Sequence, residues 1–428
     1  MIKLVAQVLF GSFAAFLVFN VPIGIALGLA CILAFLVSGA PLTMLAQGMI
    51  TSVDSFPLMA VPFFILAGDL MGKGGISKRL LAVADVLVGR FPGGLAMVTV
   101  ATCMFFGAIS GSGPATVAAI GMMIIPEMVK AGYDKKFAAA VVAASGTIGV
   151  MIPPSIPMVI YGVSTNASIG DLFISGILPG ILVGLFLMAW CYIYAKKTGL
   201  KGSEQGFTLS RLLRACNDAK WALLVPVIIL GGIYGGVFTP TEAAVIAVVY
   251  GFIAGVFIYR ELKITEVPSL VASSALTTAT VLIIVGTATT FGRLLALEQI
   301  PTMLANAITN FSQNPIIVLL LINLLLLIVG TFMDTLAAII ILAPILLPVA
   351  LKFGVDPIHF GAIMVVNLAI GFITPPLGVN LFVANGISGV SLEKLSRAIM
   401  PFFAVLVLAL MLITYIPEIS MGLINMMK

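Results

Sequence analysis

Long apolar runs separated by short polar joints dominate the chain. Runs at 4–37, 56–71, 173–195, 222–237, 243–259, 271–290 and 399–416 are near or above the roughly 18 residues that cross a hydrocarbon core as helix. Four others, at 92–129, 137–163, 315–351 and 358–387, are too long or too interrupted to be single plain spans. The pattern predicts an all-α polytopic membrane protein. Composition agrees: 61% hydrophobic residues against 9% charged excludes an ordinary soluble domain. The first run, at over thirty residues, is too long for the apolar core of a signal peptide and is expected to stay in the protein.

The net charge of +5 raises the question of nucleic acid, but the placement of the charges answers it. Threaded through the runs, 18 of the 21 Lys and Arg residues fall on one side, leaving Arg293, Lys352 and Lys428 opposite. By the positive-inside rule that side is the cytoplasm. This threading predicts a cytoplasmic N-terminus and 196–221 loop, with 300–313 outside. Arg90 precedes the run 92–129 and Lys130, Lys135 and Lys136 follow it, so that run is expected to enter and return on one side as a re-entrant hairpin. Its turn would be Ser110-Gly111-Ser112-Gly113-Pro114, tolerated at depth only where protein or a cavity surrounds it. Residues 209–221, LSRLLRACNDAKW, have helical spacing with a basic face and are expected on the lipid surface; 76–90 read similarly.

Shifting the chain by 222 residues aligns Pro126 with Pro348, Gly132 with Gly354, Asp134 with Asp356 and Gly149 with Gly371. The same shift aligns Pro153-Pro154 with Pro375-Pro376, Asp171 with Glu393 and Pro179 with Pro401. This is an internal repeat. Each copy carries a hairpin, 92–129 or 314–352, followed by a helix broken at Gly146–Pro154 or Gly371–Pro376. Five crossings between the copies make the repeat inverted. Inverted repeats with interrupted helices are the mark of secondary transporters, whose freed carbonyls hold cations and whose half-helix N-termini face carboxylates. The expected division is into 1–90, 91–196, a linker at 197–221, 222–313 and 314–428.

The stretches GGVFTPTEAAVIAVVYG (235–251), SGSGPATVAAIG (110–121), GTIGVMIPPS (146–155) and GFITPPLGVNLFVANGI (371–387) resemble the large membrane subunit, DctM-like, of tripartite ATP-independent periplasmic (TRAP) transporters. The resemblance implies a separate small four-helix membrane subunit (DctQ-like) and a periplasmic substrate-binding protein (DctP-like). It further implies a bacterial inner-membrane location and an elevator movement of a transport domain, 91–196 with 314–428 as its halves, against a scaffold made of the halves 1–90 and 222–313. The cargo would be an organic acid anion of the C4-dicarboxylate or sialic-acid class, leaning to the latter, driven by Na⁺ without an organic cofactor.

Two Na⁺ sites related by the repeat are expected. Ser110, Ser112, Gly146, Gly149, Val150 and Pro153 would form the first; Gly330, Thr331, Asp334, Gly371, Thr374 and Pro376 the second. Ser112, Thr335, Asn166 and Asn380 are candidates for the solute. Glu242, in Thr239-Pro240-Thr241-Glu242, reads as a capping box rather than a proton carrier. Asp69 is expected to pair with Lys73 one turn on. His359 reads as a solvated loop residue, and Cys31, Cys103, Cys191 and Cys216 as packing residues without metal spacing. Two other functions compete. A stand-alone H⁺- or Na⁺-coupled transporter would need no binding protein; an intramembrane serine hydrolase built on SGSG would need a base beside the serine. No Walker-type phosphate loop is present.

Overall fold

The computed structural model describes residues 2–203, 207–303, 312–375 and 378–427, and every regular element among them is helical. The apolar run 4–37 is not one span. It forms two helices, α1 (Ile2–Val18) and α2 (Ile23–Ser38), packed on each other. The turn between them holds Asn20 in the left-handed region (φ 57°) and Pro22 at the N-cap of α2. Helices α3 (Thr43–Val53) and α4 (Ala60–Lys73) follow with a 66° bend between them, then the amphipathic α5 (Ile76–Val88). The first hairpin is α6 (Gly94–Ser110) and α7 (Gly113–Lys130); the first broken helix is α8 (Lys135–Ser145) and α9 (Ile156–Thr165). Next come α10 (Ile169–Thr198), α11 (Leu209–Asp218), α12 (Lys220–Tyr234), α13 (Pro240–Ile253) and α14 (Val267–Leu297). The second copy has the hairpin α15 (Pro315–Gly330) and α16 (Thr335–Lys352), the broken helix α17 (Pro357–Gly371) and α18 (Val379–Ser388), then α19 (Leu392–Tyr415) and α20 (Glu418–Met427).

The repeat is visible in local geometry. The return helices α7 and α16 start and end 222 residues apart, and α8 and α17 start 222 apart. Ser112 caps α7 through the Ala115 amide (3.4 Å), and its repeat partner Asp334 caps α16 through the Leu336 amide (2.9 Å). Asp134 and Asp356 cap α8 and α17 in the same way. Gly132 and Gly354 precede those caps with φ of 90° and 78°, a conformation that any Cβ would strain.

The broken helices form the centre of the molecule. In α8 every residue from Phe137 to Ser145 is buried, and in α17 every residue from His359 to Gly371; helices apolar all round belong in a core. The copies interlock, since α7 packs on α18 and α16 on α9. Around them α4 packs on α13, and α14 lies against α2, α3 and α4. Helix α11 turns 69° from α12. It buries none of its residues, exposes Leu209 and Leu213, and is held to α5 by an Arg211–Asp85 ion pair (3.8 Å).

His359 departs from expectation. It is buried, with Nδ1 2.6 Å from Ser420 Oγ of α20 and Nε2 donating to the Thr414 carbonyl (3.3 Å). A polar chain continues inward: Asn323 Nδ2 donates to Thr414 Oγ1 (2.9 Å) and Asn367 Nδ2 to Asn323 Oδ1 (2.9 Å). Buried polar groups require such partners, and this chain ties α15, α17 and α19 together. The Thr239–Glu242 capping box is present.

Candidate functional site

Both hairpin tips and both helix breaks meet at one cavity of about 320 Å³. The first tip contributes Ser110 to Ala115, the first break Val150, Ile156 and Pro157. The second tip contributes Asp334 to Leu336, the second break Phe372. The opposite wall is Ile65, Gly68 and Asp69 of α4 with Thr277 and Val281 of α14. The two halves touch closely here: a Cβ on Gly68 would lie 3.3 Å from the Cα and carbonyl oxygen of Ser110.

Tip and break are joined by glycines, so backbone meets backbone. A Cβ on Gly107 would lie 3.1 Å from the Gly149 Cα, and one on Gly330 3.3 Å from the Gly371 Cα. In the first copy Thr116 Oγ1 sits 2.9 Å from Ser110 Oγ and donates to the Ser112 carbonyl (2.8 Å). Ser155 caps α9 and donates to the Val150 carbonyl (2.5 Å). The Ile156 amide donates to the Gly111 carbonyl (3.4 Å), fixing the tip to the far end of the break. The Pro153-Pro154 bond is cis. A dense set of carbonyl and hydroxyl oxygens results, the donor type that hard cations take.

Of the expected site residues, Ser110, Ser112, Val150, Asp334 and Thr335 line the cavity. Gly146, Gly149, Pro153, Gly330 and Gly371 lie in the tip-to-break seams or breaks behind it. Thr331 and Thr374 donate to the Ile328 and Ile370 carbonyls of their own helices (2.7 and 2.8 Å). Pro376 lies outside the described residues. Two solute candidates are elsewhere. Asn166 is exposed at the left-handed C-cap of α9 (φ 56°), where its amide ends the helix. Asn380 is fully buried between the copies, donating to the Ala143 carbonyl (3.1 Å).

Asp69 departs from expectation. It forms no ion pair with Lys73; instead Ser274 Oγ of α14 donates to its Oδ2 at 2.5 Å, and the carboxylate lines the cavity. An acid inside the apolar run 56–71 was the available signal, since ionisable residues at membrane depth are functional by default. The nearby Lys73 masked it. Thr116 and Phe372 were also missed, and neither carries a signal beyond the motif around it.

The fold is that of membrane transporters. It matches the YdaH transporter of Alcanivorax borkumensis with a TM-score of 0.62 over 89% of each chain at 17% identity. It matches MtrF of Neisseria gonorrhoeae at 0.58 over 87% and 83% at 14% identity. Within that class, the chain belongs to the family "Tripartite ATP-independent periplasmic transporter, DctM component", which matches residues 10–419. It is 56% identical, over 97% of its length, to the isethionate TRAP transporter permease protein DctMQ of Oleidesulfovibrio alaskensis, and spans 65% of that longer protein. It is 45% identical to the C4-dicarboxylate TRAP transporter large permease protein DctM of Pseudomonas aeruginosa over 89% of each. The sialic acid TRAP transporter large permease protein SiaM of Vibrio cholerae is 39% identical over 94% of each. These relatives are named as transport permeases, and the only histidine is held in the Ser420–Thr414 network, so the hydrolase reading falls away.

Proposed function

We propose that the chain is the large permease subunit of a binding-protein-dependent, Na⁺-coupled importer of small organic acid anions in a bacterial inner membrane. The observation that carries this is the charge of the cavity, which is lined by two carboxylates, Asp69 and Asp334, and by no Lys, Arg or His. An anion entering beside two acids is repelled unless cations enter with it. Among the described residues no group of three or more His, Cys, Asp and Glu side chains gathers to hold a metal. The cation ligands would therefore be backbone and hydroxyl oxygens plus Asp334: Ser110, Ser112, Gly146, Gly149, Val150 and Pro153 in the first site, Gly330, Thr331, Asp334, Gly371, Thr374 and Pro376 in the second. Ser112 and Thr335 would meet the solute.

Names of relatives favour an isethionate- or C4-dicarboxylate-class solute, at 56% and 45% identity, over sialic acid at 39%. A small four-helix membrane subunit and a periplasmic binding protein complete the transporter. In the elevator cycle the hairpins and broken helices slide against the wall of α4 and α14. In reconstituted vesicles holding the complex, uptake is expected only with an inward Na⁺ gradient and only with a cognate binding protein from a panel. Uptake without a binding protein would favour the stand-alone transporter.

Among the described residues five crossings separate the two hairpins, counting α8 with α9 as one and leaving out the surface helix α11, so the hairpins would open to opposite sides. Read as two crossings and not one, α1 and α2 would put the start of α1 opposite the 196–221 loop, not beside it. Single cysteines in place of Ser210 and Gln313 should label from opposite faces of sealed vesicles. Labelling of both from one face would overturn the inverted arrangement.

A further inference from the structure

We propose that Asp69 is a coupling residue: a fixed carboxylate on the scaffold that opposes passage of solute unaccompanied by its cations. This rests on the Na⁺-coupled elevator reading above and adds to it a residue outside both ion sites.

Asp69 belongs to α4, on the wall that the hairpin tips face. Ser274 Oγ holds its Oδ2 at 2.5 Å from α14, so the acid is pinned by two scaffold helices and does not travel with the tips. Oδ1 has no hydrogen-bond donor among the described residues. Gly68, the preceding residue, brings the α4 backbone against Ser110 of the first tip, and Thr277, one turn beyond Ser274, continues the same wall. Whatever the tips carry is read by this carboxylate at close range.

Charge accounting gives the consequence. A transport half holding a monovalent anion beside ionised Asp334 carries two negative charges, and two Na⁺ cancel them. The fully loaded half passes Asp69 as a neutral body, whereas the anion-loaded, ion-free half meets a like charge in a region that screens poorly. Asp69 thus raises the barrier for the uncoupled step and leaves the coupled one nearly untouched.

The test compares initial uptake of labelled isethionate, a monovalent anion, by the reconstituted complex with Na⁺ or with K⁺ alone outside. Asp69→Asn keeps the shape and an oxygen for Ser274 but removes the charge. Its K⁺-to-Na⁺ uptake ratio is expected to rise about tenfold over wild type, the scale of one like charge removed from such a site. Ser274→Ala keeps the charge and should hold the wild-type ratio. An unchanged ratio in Asp69→Asn overturns the proposal. So does an equal rise in Ser274→Ala, which would trace the effect to helix packing, and so does loss of uptake in both ions at normal yield, which would place Asp69 in the transport step itself. A wild-type complex equally active in K⁺ would instead sink Na⁺ coupling, and the role of Asp69 with it; that failure is read from the wild type alone.

Discussion

Asp334→Asn should raise the Na⁺ concentration for half-maximal uptake about tenfold, with normal yield of folded protein. Asp334 does two things at once. Its Oδ2 caps α16 through the Leu336 amide, and its charge faces a cavity without a basic partner. Asparagine retains a carbonyl oxygen for the cap, so the substitution separates the two. Exchanging an ionised ligand for a neutral one loses about 1.4 kcal/mol or more of cation binding, a factor of about ten. The repeat supplies the comparison. Ser112 occupies the equivalent cap in the first copy with no charge, so Ser112→Ala should weaken that tip without shifting Na⁺ dependence as far. Uptake measured against Na⁺ at saturating solute decides it. Unchanged half-saturation in Asp334→Asn would leave the residue a helix cap and nothing more.

What the sequence discloses and what it hides divide along physical lines. Caps, tips and breaks are local: Ser112, Asp134, Asp334 and Asp356 act on amides two or three residues away. Glycine and proline then mark where an apolar helix has to stop. These features were legible, and the offset of 222 placed the second set from the first. Partners distant in sequence were not. Ser274 lies 205 residues from Asp69, and Ser420 lies 61 from His359. No periodicity joins such pairs, so the sequence points instead to the nearer Lys73 and to a solvated loop. The joint between α1 and α2 was hidden for another reason. In a chain where apolar residues face lipid and protein alike, a turn of three or four residues leaves the run unbroken, and only Asn20 and Pro22 betray it.

On the proposed Na⁺-coupled cycle, freed carbonyls of tip and break share an ion only if no side chain stands between them, and the glycine seams meet that condition. In the second seam the obstacle is backbone alone. A Cβ on Gly371 would sit 2.5 Å from the carbonyl oxygen and 2.8 Å from the Cα of Gly330, contacts with backbone that no rotamer change relieves. Gly371→Ala should therefore push α15 off α17, lowering the melting temperature and abolishing most uptake. Overpacking of this kind costs on the order of 1–3 kcal/mol, and the ligand geometry suffers beyond that cost, since a displacement of about 1 Å is enough to disable a preorganised site. Gly149→Ala in the first seam should follow, its Cβ falling 2.8 Å from the Ser112 carbonyl and onto Thr116 Oγ1. Gly386→Ala is the counterpart in open space, on an exposed part of α18 with nothing within 4 Å; helix propensity makes it neutral or slightly stabilising. Melting temperature and uptake per unit of protein, measured for all three, separate the seams from glycine content as such. Wild-type uptake in Gly371→Ala would mean that the α15–α17 approach is not needed for transport.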